Sequence, residues 1–169
     1  MNRHLLPALA AFSLLTACGN TELTARGSVV ATFEGAESGF SFAEPTRLEV
    51  PGDASLGFIT GSCELARVGE GAYGVVVEIR RGGNIDDNGL SRVTIMQRTD
   101  AEVGTGRVEA ELGLTQFTSG AAGCAIEVPY AQPDGGTVGL LGDCEVRDTN
   151  GNVANLSVDL DIIGCTVLE

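Results

Sequence analysis

Alternation of apolar and polar residues with a period of two constrains the fold of this chain more than any other feature. In the segment RVEAELGL at 107–114, every even position is apolar and positions 107, 109 and 111 are charged. Successive side chains of a β-strand point to opposite faces, so this pattern predicts a half-buried strand. The same pattern predicts strands at 28–33, 56–68, 73–81, 92–98, 107–114, 124–131, 137–146 and 156–162, with short strands at 40–42 and 47–50.

Turn-forming residues separate these segments. Glu-Gly stands at 70–71, Gly-Gly at 82–83, Asp-Asn-Gly at 87–89 and Asn-Gly at 150–151. The chain has 24 glycines, and no apolar stripe has the 3.6-residue period of a helix. The sequence therefore predicts a single all-β domain at 28–169, an antiparallel sandwich or small barrel of about 8–10 strands.

The N-terminus carries a different pattern. Arg3 precedes the run LLPALAAFSLL at 5–15, which is apolar, and the next residues are Thr16, Ala17 and Cys18. An apolar run of this length suits the central region of a signal peptide and is too short to span a bilayer. Pro7 also disfavours a spanning helix. No transmembrane helix is predicted elsewhere.

The tetrapeptide Leu15-Thr16-Ala17-Cys18 resembles the lipobox of bacterial lipoproteins. The resemblance covers about the first 20 residues. It implies that 1–17 is a signal peptide and that Cys18 receives a diacylglyceryl thioether and an acylated amino group, with fatty acids such as palmitate. The partner would then be a lipid bilayer of the cell envelope. Because Gly19, not Asp, follows Cys18, the resemblance favours the outer membrane over the inner one, and 18–27 is interpreted as the lipidated cysteine with a short tether.

Cys18 could instead belong to an ordinary secreted protein, as half of a disulfide or as a buried thiol. The chain has five cysteines, so pairing Cys18 would leave another thiol over. The odd count favours the lipid-anchor interpretation.

The other four cysteines are expected to form two disulfides in an oxidising compartment. If 133–135 is a three-residue hairpin loop, Tyr130 faces Val138 and Cys124 faces Cys144. If 148–152 is the next loop, Cys144 faces Leu156, and Cys165 then lies about 30 Å further along the strand. The sequence predicts Cys124–Cys144 and, by elimination, Cys63–Cys165.

Missing residue types exclude several chemistries. There is no Lys or Trp, and the one histidine, His4, precedes the expected cleavage point. Ser-His and Cys-His nucleophilic sites, histidine-ligated metals and Schiff-base lysines are therefore excluded from the mature chain. The net charge of −13 disfavours nucleic acid as a partner. No enzyme motif and no cofactor are predicted, although paired carboxylates stay open.

Two loops contain candidate calcium ligands: Asp86 and Asp87 in NIDDNG at 84–89, and Asp148 in DTNGN at 148–152. Oxygen ligands at short spacing suit Ca²⁺. Neither loop fits the EF-hand pattern, and Asp, Asn and Gly are expected in turns for their own backbone chemistry. We expect turns, and no metal site.

Two further features have ordinary structural interpretations. Arg80-Arg81 at a strand end is expected to discourage sheet pairing. Tyr130 is expected on the inner face of its hairpin.

The leading hypothesis is a non-catalytic, lipid-anchored structural or interaction domain, with an envelope protein as a candidate partner. The alternatives are a sugar- or calcium-binding domain on the same anchor and a carboxylate-dependent hydrolase.

Overall fold

The computed structural model describes residues 22–49, 58–82, 89–120 and 123–169, and these residues form one β-sheet domain. Its strands are β1 Thr24–Phe33, β2 Ala36–Arg47, β3 Ile59–Gly69, β4 Ala72–Arg81, β5 Leu90–Arg98, β6 Arg107–Leu112, β7 Thr115–Ser119, β8 Ala125–Gln132, β9 Thr137–Arg147, β10 Val153–Ile163 and β11 Thr166–Leu168. A short 3₁₀ turn, Pro133–Gly135, joins β8 to β9. The all-β prediction is confirmed, with eleven strands in the described ranges.

The strands pair as one curled sheet in the order β11-β3-β4-β5-β6-β7-β9-β10-β1-β2, and β8 lies beside β9. Neighbouring strands are antiparallel except β11 and β3, which are parallel, so the sheet is mixed. The backbone of Glu49, just beyond β2, also bridges to β3. Its N–H donates to the Ile59 carbonyl at 3.1 Å and its carbonyl accepts from the Gly61 N–H at 2.9 Å. The sheet thus curls into a half-barrel around one core.

The predicted alternation fills the concave face. In β10, Leu156, Val158, Leu160 and Ile162 are each at most 1% exposed, whereas the residues between them face solvent. Phe40, Phe117 and Leu65 close the same core from β2, β7 and β3. Burial of such side chains contributes about 1.5–3 kcal/mol each, which fixes the register of every strand that supplies one.

The hairpin of β9 and β10 has the predicted register, with Val146 opposite Ala154 and Cys144 opposite Leu156. The hairpin of β8 and β9 follows the prediction only near Ile126, which faces Gly142. A register shift lies between Glu127 and Tyr130. Pro129 sits in this interval and has no N–H to donate to the ladder, which accounts for the irregularity.

This shift overturns the prediction for Tyr130. Tyr130 faces Gly139 on the outer surface and is 36% exposed, and Ala131 takes the place opposite Val138. The alternation continues correctly on either side of the shift, so the inner face stays apolar.

Other predicted boundaries were also wrong. β6 ends at Leu112, because Gly113 and Leu114 form the tight turn to β7, and Leu114 is fully exposed. β7 and β11 were missed. The short strand predicted at 40–42 is part of the longer strand β2, which ends at Arg47, so only the first residue of the strand predicted at 47–50 lies in it. β1 begins at Thr24, so the last four residues of the predicted tether, 24–27, belong to the sheet.

Candidate functional site

The chain enters the domain at a well-fixed point. The Glu22 carboxylate pairs with the Arg47 guanidinium at 2.8 Å, and the Leu23 carbonyl accepts from the Leu48 N–H at 2.9 Å. Gly164, with φ of +93°, packs so closely that an added Cβ would lie 2.5 Å from the Glu22 carbonyl oxygen. Cys18 lies outside the described residues, four positions before Glu22.

The structure contains both predicted cysteine pairs, Cys124–Cys144 from hairpin register and Cys63–Cys165 by elimination. Cys63 and Cys165 have Cα atoms 4.6 Å apart, and those of Cys124 and Cys144 are 4.7 Å apart. Cys165 is held by a second constraint, because its N–H donates to the Gly136 carbonyl at 2.8 Å. All four cysteines belong to the buried core, so these bridges are structural staples.

The calcium candidates divide into two groups. Asp86 and Asp87 lie outside the described residues. The Asp148 carboxylate is fully engaged: Oδ1 accepts from the N–H groups of Asn150 and Asn152 at 2.9 and 2.8 Å, and Oδ2 accepts from the Asn152 side-chain amide at 2.8 Å. Burial raises the pKa of Asp148, but these hydrogen bonds outweigh it and the pKa is lowered. Asp148 therefore shapes the β9–β10 turn.

Within the described ranges, no group of three or more His, Cys, Asp or Glu side chains is placed to hold a metal ion. The same ranges contain no helix long and apolar enough to cross a bilayer.

The two arginines at the end of β4 have separate partners. Arg80 pairs with Glu78 at 2.9 Å. Arg81 lies over the Phe40 ring, 5.3 Å from its centroid, and donates to the Gly39 carbonyl at 2.9 Å. Arg81 therefore holds the end of β4 against β2, across the opening of the half-barrel.

A groove on the outer surface was not anticipated from the sequence. It has a volume of about 540 Å³, and its floor is Gly74, Val76 and Met96 on β4 and β5. The 99–106 loop and Arg107 wall it. A second groove of about 490 Å³ lies on the far side of Met96 and Arg107, towards Thr118 and Gly120. The two grooves adjoin at Met96 and Arg107, which line both, and we call the pair of grooves the trough.

The charges around this trough are mostly paired internally. The Arg98 guanidinium donates two hydrogen bonds, of 2.9 and 2.8 Å, to the Asp100 carboxylate. Hydrogen bonding from Arg98 lowers the pKa of Asp100. Glu109 pairs with Arg92 at 3.6 Å. Arg107 and Glu102 are exposed and form no ion pair with any residue in the described part of the chain.

A third groove, of about 660 Å³, crosses the opposite half of the sheet. Glu37, Asp143 and Glu145 line it, with small side chains of β1 and β10 between them. Glu145 pairs with Arg147. This groove therefore carries two acids, Glu37 and Asp143, that form no ion pair within the described residues.

These sites could be predicted only in part from the sequence. The cysteine pairing followed from hairpin register, whereas the trough depends on the alignment of β4, β5 and β6. Comparison of this chain with protein families, curated proteins and solved structures finds no match.

Proposed function

We propose that this chain is a lipid-anchored protein of the bacterial cell envelope whose β-domain is a non-catalytic structural or interaction module. One observation carries the proposal. The two disulfides account for four of the five cysteines, and the fifth is Cys18, which ends the LTAC motif after the apolar run at 5–15.

The entry point of the chain supports a close attachment. Glu22 is fixed by Arg47, and β1 begins at Thr24. Six residue steps separate Cys18 from Thr24, so the chain between them spans at most about 20 Å. A lipidated Cys18 would therefore hold the domain at the bilayer surface. Two or three acyl chains, at about 0.8 kcal/mol per buried CH₂, are enough for stable anchoring.

The residue types support a non-catalytic role. The chain after residue 17 has no His, Lys or Trp. Three of the acids that line the grooves, Asp100, Glu109 and Glu145, are paired with arginines. Gly19 after Cys18 favours the outer membrane, as the resemblance to lipoproteins implies.

The intact mass of the protein extracted from its native membrane tests the anchor. We expect a chain that starts at Cys18, carries two or three fatty acyl groups and gains four hydrogens on reduction of its two disulfides. The Cys18→Ser variant is the matched control and should lose the acyl groups and leave the membrane fraction. An unlipidated native chain, or one that starts elsewhere, would refute the anchor.

Cross-linking at the membrane tests the interaction role. A specific envelope protein should be enriched with the lipidated chain and lost with Cys18→Ser. Failure to enrich any protein above the level of an unrelated lipoprotein would count against an interaction module. The trough around Met96 favours a second candidate, a ligand-binding lipoprotein domain. Its ligand would raise the melting temperature, by an amount that grows with the logarithm of its concentration once that exceeds the dissociation constant.

A further inference from the structure

An exposed apolar strip leads away from the trough along the outer surface. Val76 pairs across strands with Met96, and Ala66 pairs with both Gly74 and Leu168. Val68 covers the space beside Gly74, since an added Cβ there would lie 3.4 Å from Val68 Cγ1. Val68, Val76 and Leu168 are 46%, 37% and 44% exposed. We call Met96, Val76, Val68, Ala66 and Leu168 the outer strip.

Contiguous exposed apolar residues of this kind mark interaction surfaces. The outer strip crosses β5, β4, β3 and β11, and neighbouring strands lie about 4.8 Å apart, so it is about 15 Å long. A bilayer hydrocarbon core is about 30 Å thick. One extended acyl chain of a phospholipid spans about half of that thickness, about 15 Å, which equals the length of the outer strip.

Charged groups stand at the Met96 end of the strip. Register places Arg107 directly beside Met96, and Glu102 lines the same groove. Neighbouring charges are satisfied by Arg98–Asp100 and Arg92–Glu109. The trough therefore offers one cation and one anion to a ligand. Glu64, exposed beside Val76, adds a second acid and disfavours an anionic ligand.

We propose that the trough and the outer strip bind a zwitterionic phospholipid, with its phosphate on Arg107, its ammonium group on Glu102 and an acyl chain along Val76, Val68 and Leu168. An exposed guanidinium binds phosphate by charge-assisted hydrogen bonds. The inference relies on the proposed anchor only for the source of the lipid, namely the bilayer that Cys18 would enter.

The direction of the strands brings this surface towards the anchor. β2 runs antiparallel to β1 and ends beside Thr24, where the chain enters. β3 runs parallel to the end of β2 through the Glu49–Thr60 bridge, and β11 runs parallel to β3. The ends of β3 and β11, which carry Val68 and Leu168, therefore extend towards the side of the sheet on which β1 begins at Thr24.

Met96 provides a single reporter for the test. The chain has two methionines, Met1 and Met96, so the chain from residue 18 on retains one. The described core runs from Ala25 to Cys165 with Leu23 packed against it, so the chain from residue 18 on keeps every described core residue. We would label the methionine methyl group with ¹³C in this chain, with Cys18→Ser so that its own acyl groups are absent. Dihexanoylphosphatidylcholine, kept below micelle formation, is the probe.

We expect a saturable shift of the Met96 methyl resonance. Arg107→Gln and Glu102→Gln should each raise the dissociation constant about fivefold, as an exposed ion pair does. Arg26→Gln, which changes an exposed arginine on β1, is the matched control and should leave it unchanged. Dihexanoylphosphatidylglycerol and octyl glucoside should bind more weakly than the zwitterion.

Several results would overturn the proposal: no saturable shift, equal binding of the anionic lipid or the uncharged glucoside, or an Arg107→Gln affinity equal to that of the parent. Because the test uses an unlipidated chain, its result is independent of whether Cys18 is acylated in the cell. If the probe does not bind but the intact mass shows a lipidated native chain, the lipid site alone is refuted. If the probe binds but the intact mass shows an unlipidated native chain, the anchor alone is refuted.

Discussion

The ring of Tyr130 lies over the backbone of Gly139, its partner on the neighbouring strand. A Cβ added to Gly139 would lie 2.5 Å from Tyr130 Cε1, so the glycine makes room for the ring. The Tyr130 hydroxyl then reaches across β9 and donates to the Asp161 carboxylate on β10. An aromatic ring that covers a cross-strand glycine pins register on an otherwise polar surface.

Substitutions at two glycines of β9 should separate side-chain from backbone crowding. Gly139→Ala meets an exposed ring that can move, so we expect a loss of about 1 kcal/mol in the free energy of unfolding. Gly142→Ala meets the Ala125 carbonyl oxygen at 2.0 Å, with φ of +144°, and should cost about 3 kcal/mol. Denaturant unfolding of both variants checks the order. A smaller loss at Gly142 would contradict it.

The stability of the protein should fall at high pH through Tyr130. Burial, and then the hydrogen bond and charge of Asp161, raise the pKa of Tyr130 to about 12. An unfolded tyrosine has a pKa of about 10. The neutral form is thus favoured in the folded state, so its contribution is complete below pH 10 and is lost as the pH rises towards 12.

Unfolding of the parent and of Tyr130→Phe, compared from pH 8 to 11.5, measures this contribution. The difference between them should shrink above pH 10. Tyr73→Phe is the control, because it removes the other tyrosine of the chain and leaves the Tyr130–Asp161 bond intact. A parent and a Tyr130→Phe variant with the same pH dependence would contradict the assignment.

Local pattern was enough to predict the β9–β10 hairpin. Its loop is short and Asp148 and Gly151 set the turn, so the turn fixes the register that keeps Leu156 and Leu160 inside. The β8–β9 hairpin was predicted only in part. The one-residue shift near Pro129 exchanges the faces of the residues that follow it. Tyr130 and Ala131 can each serve as an apolar inner residue, so alternation alone did not reveal the shift.

The outer trough could not be predicted from the sequence. In the sequence, Met96 is one more apolar residue of a predicted strand, and Arg107 is a charged residue at the start of another. They become neighbours because β5 pairs with β6 in one register, and that register is set by the buried residues Ile95 and Val108 on the other face. A surface site of this kind follows from the core.

The Asp148 turn should be sensitive to acid and indifferent to calcium. The lowered pKa of Asp148 means that its hydrogen bonds stabilise the fold above the unfolded pKa of about 3.9 and are lost as the pH falls through the folded value. Asp148→Ala should lower the melting temperature at pH 7 and lose less on acidification than the parent does.

Millimolar Ca²⁺ should leave the melting temperature of the parent unchanged relative to a chelator, since both Asp148 oxygens already accept protein hydrogen bonds. Asp148→Asn is the matched variant, because it keeps one carbonyl acceptor at nearly the same volume. A calcium-dependent rise in the parent that disappears in Asp148→Asn would contradict the turn assignment and restore the metal hypothesis.

The two disulfides should contribute unequally to stability. Cys63 and Cys165 are 102 residues apart, and Cys124 and Cys144 are 20 apart. The loop-entropy model assigns about 4.7 kcal/mol to the longer loop and about 3.3 kcal/mol to the shorter. We expect the double variant Cys63→Ala/Cys165→Ala to lose more free energy of unfolding than Cys124→Ala/Cys144→Ala does.

The two double variants are matched, since each removes two buried sulfur atoms and leaves no unpaired thiol in the domain. The cost of the cavities left by the sulfur atoms is therefore similar in the two variants. The difference between their losses in free energy of unfolding then reflects the difference in loop length. The Cys63–Cys165 bridge also holds β11 on β3, so its loss should expose the amides of β11 to hydrogen exchange while those of β9 stay protected. A larger loss from the shorter loop would show that packing around Cys124 outweighs chain entropy.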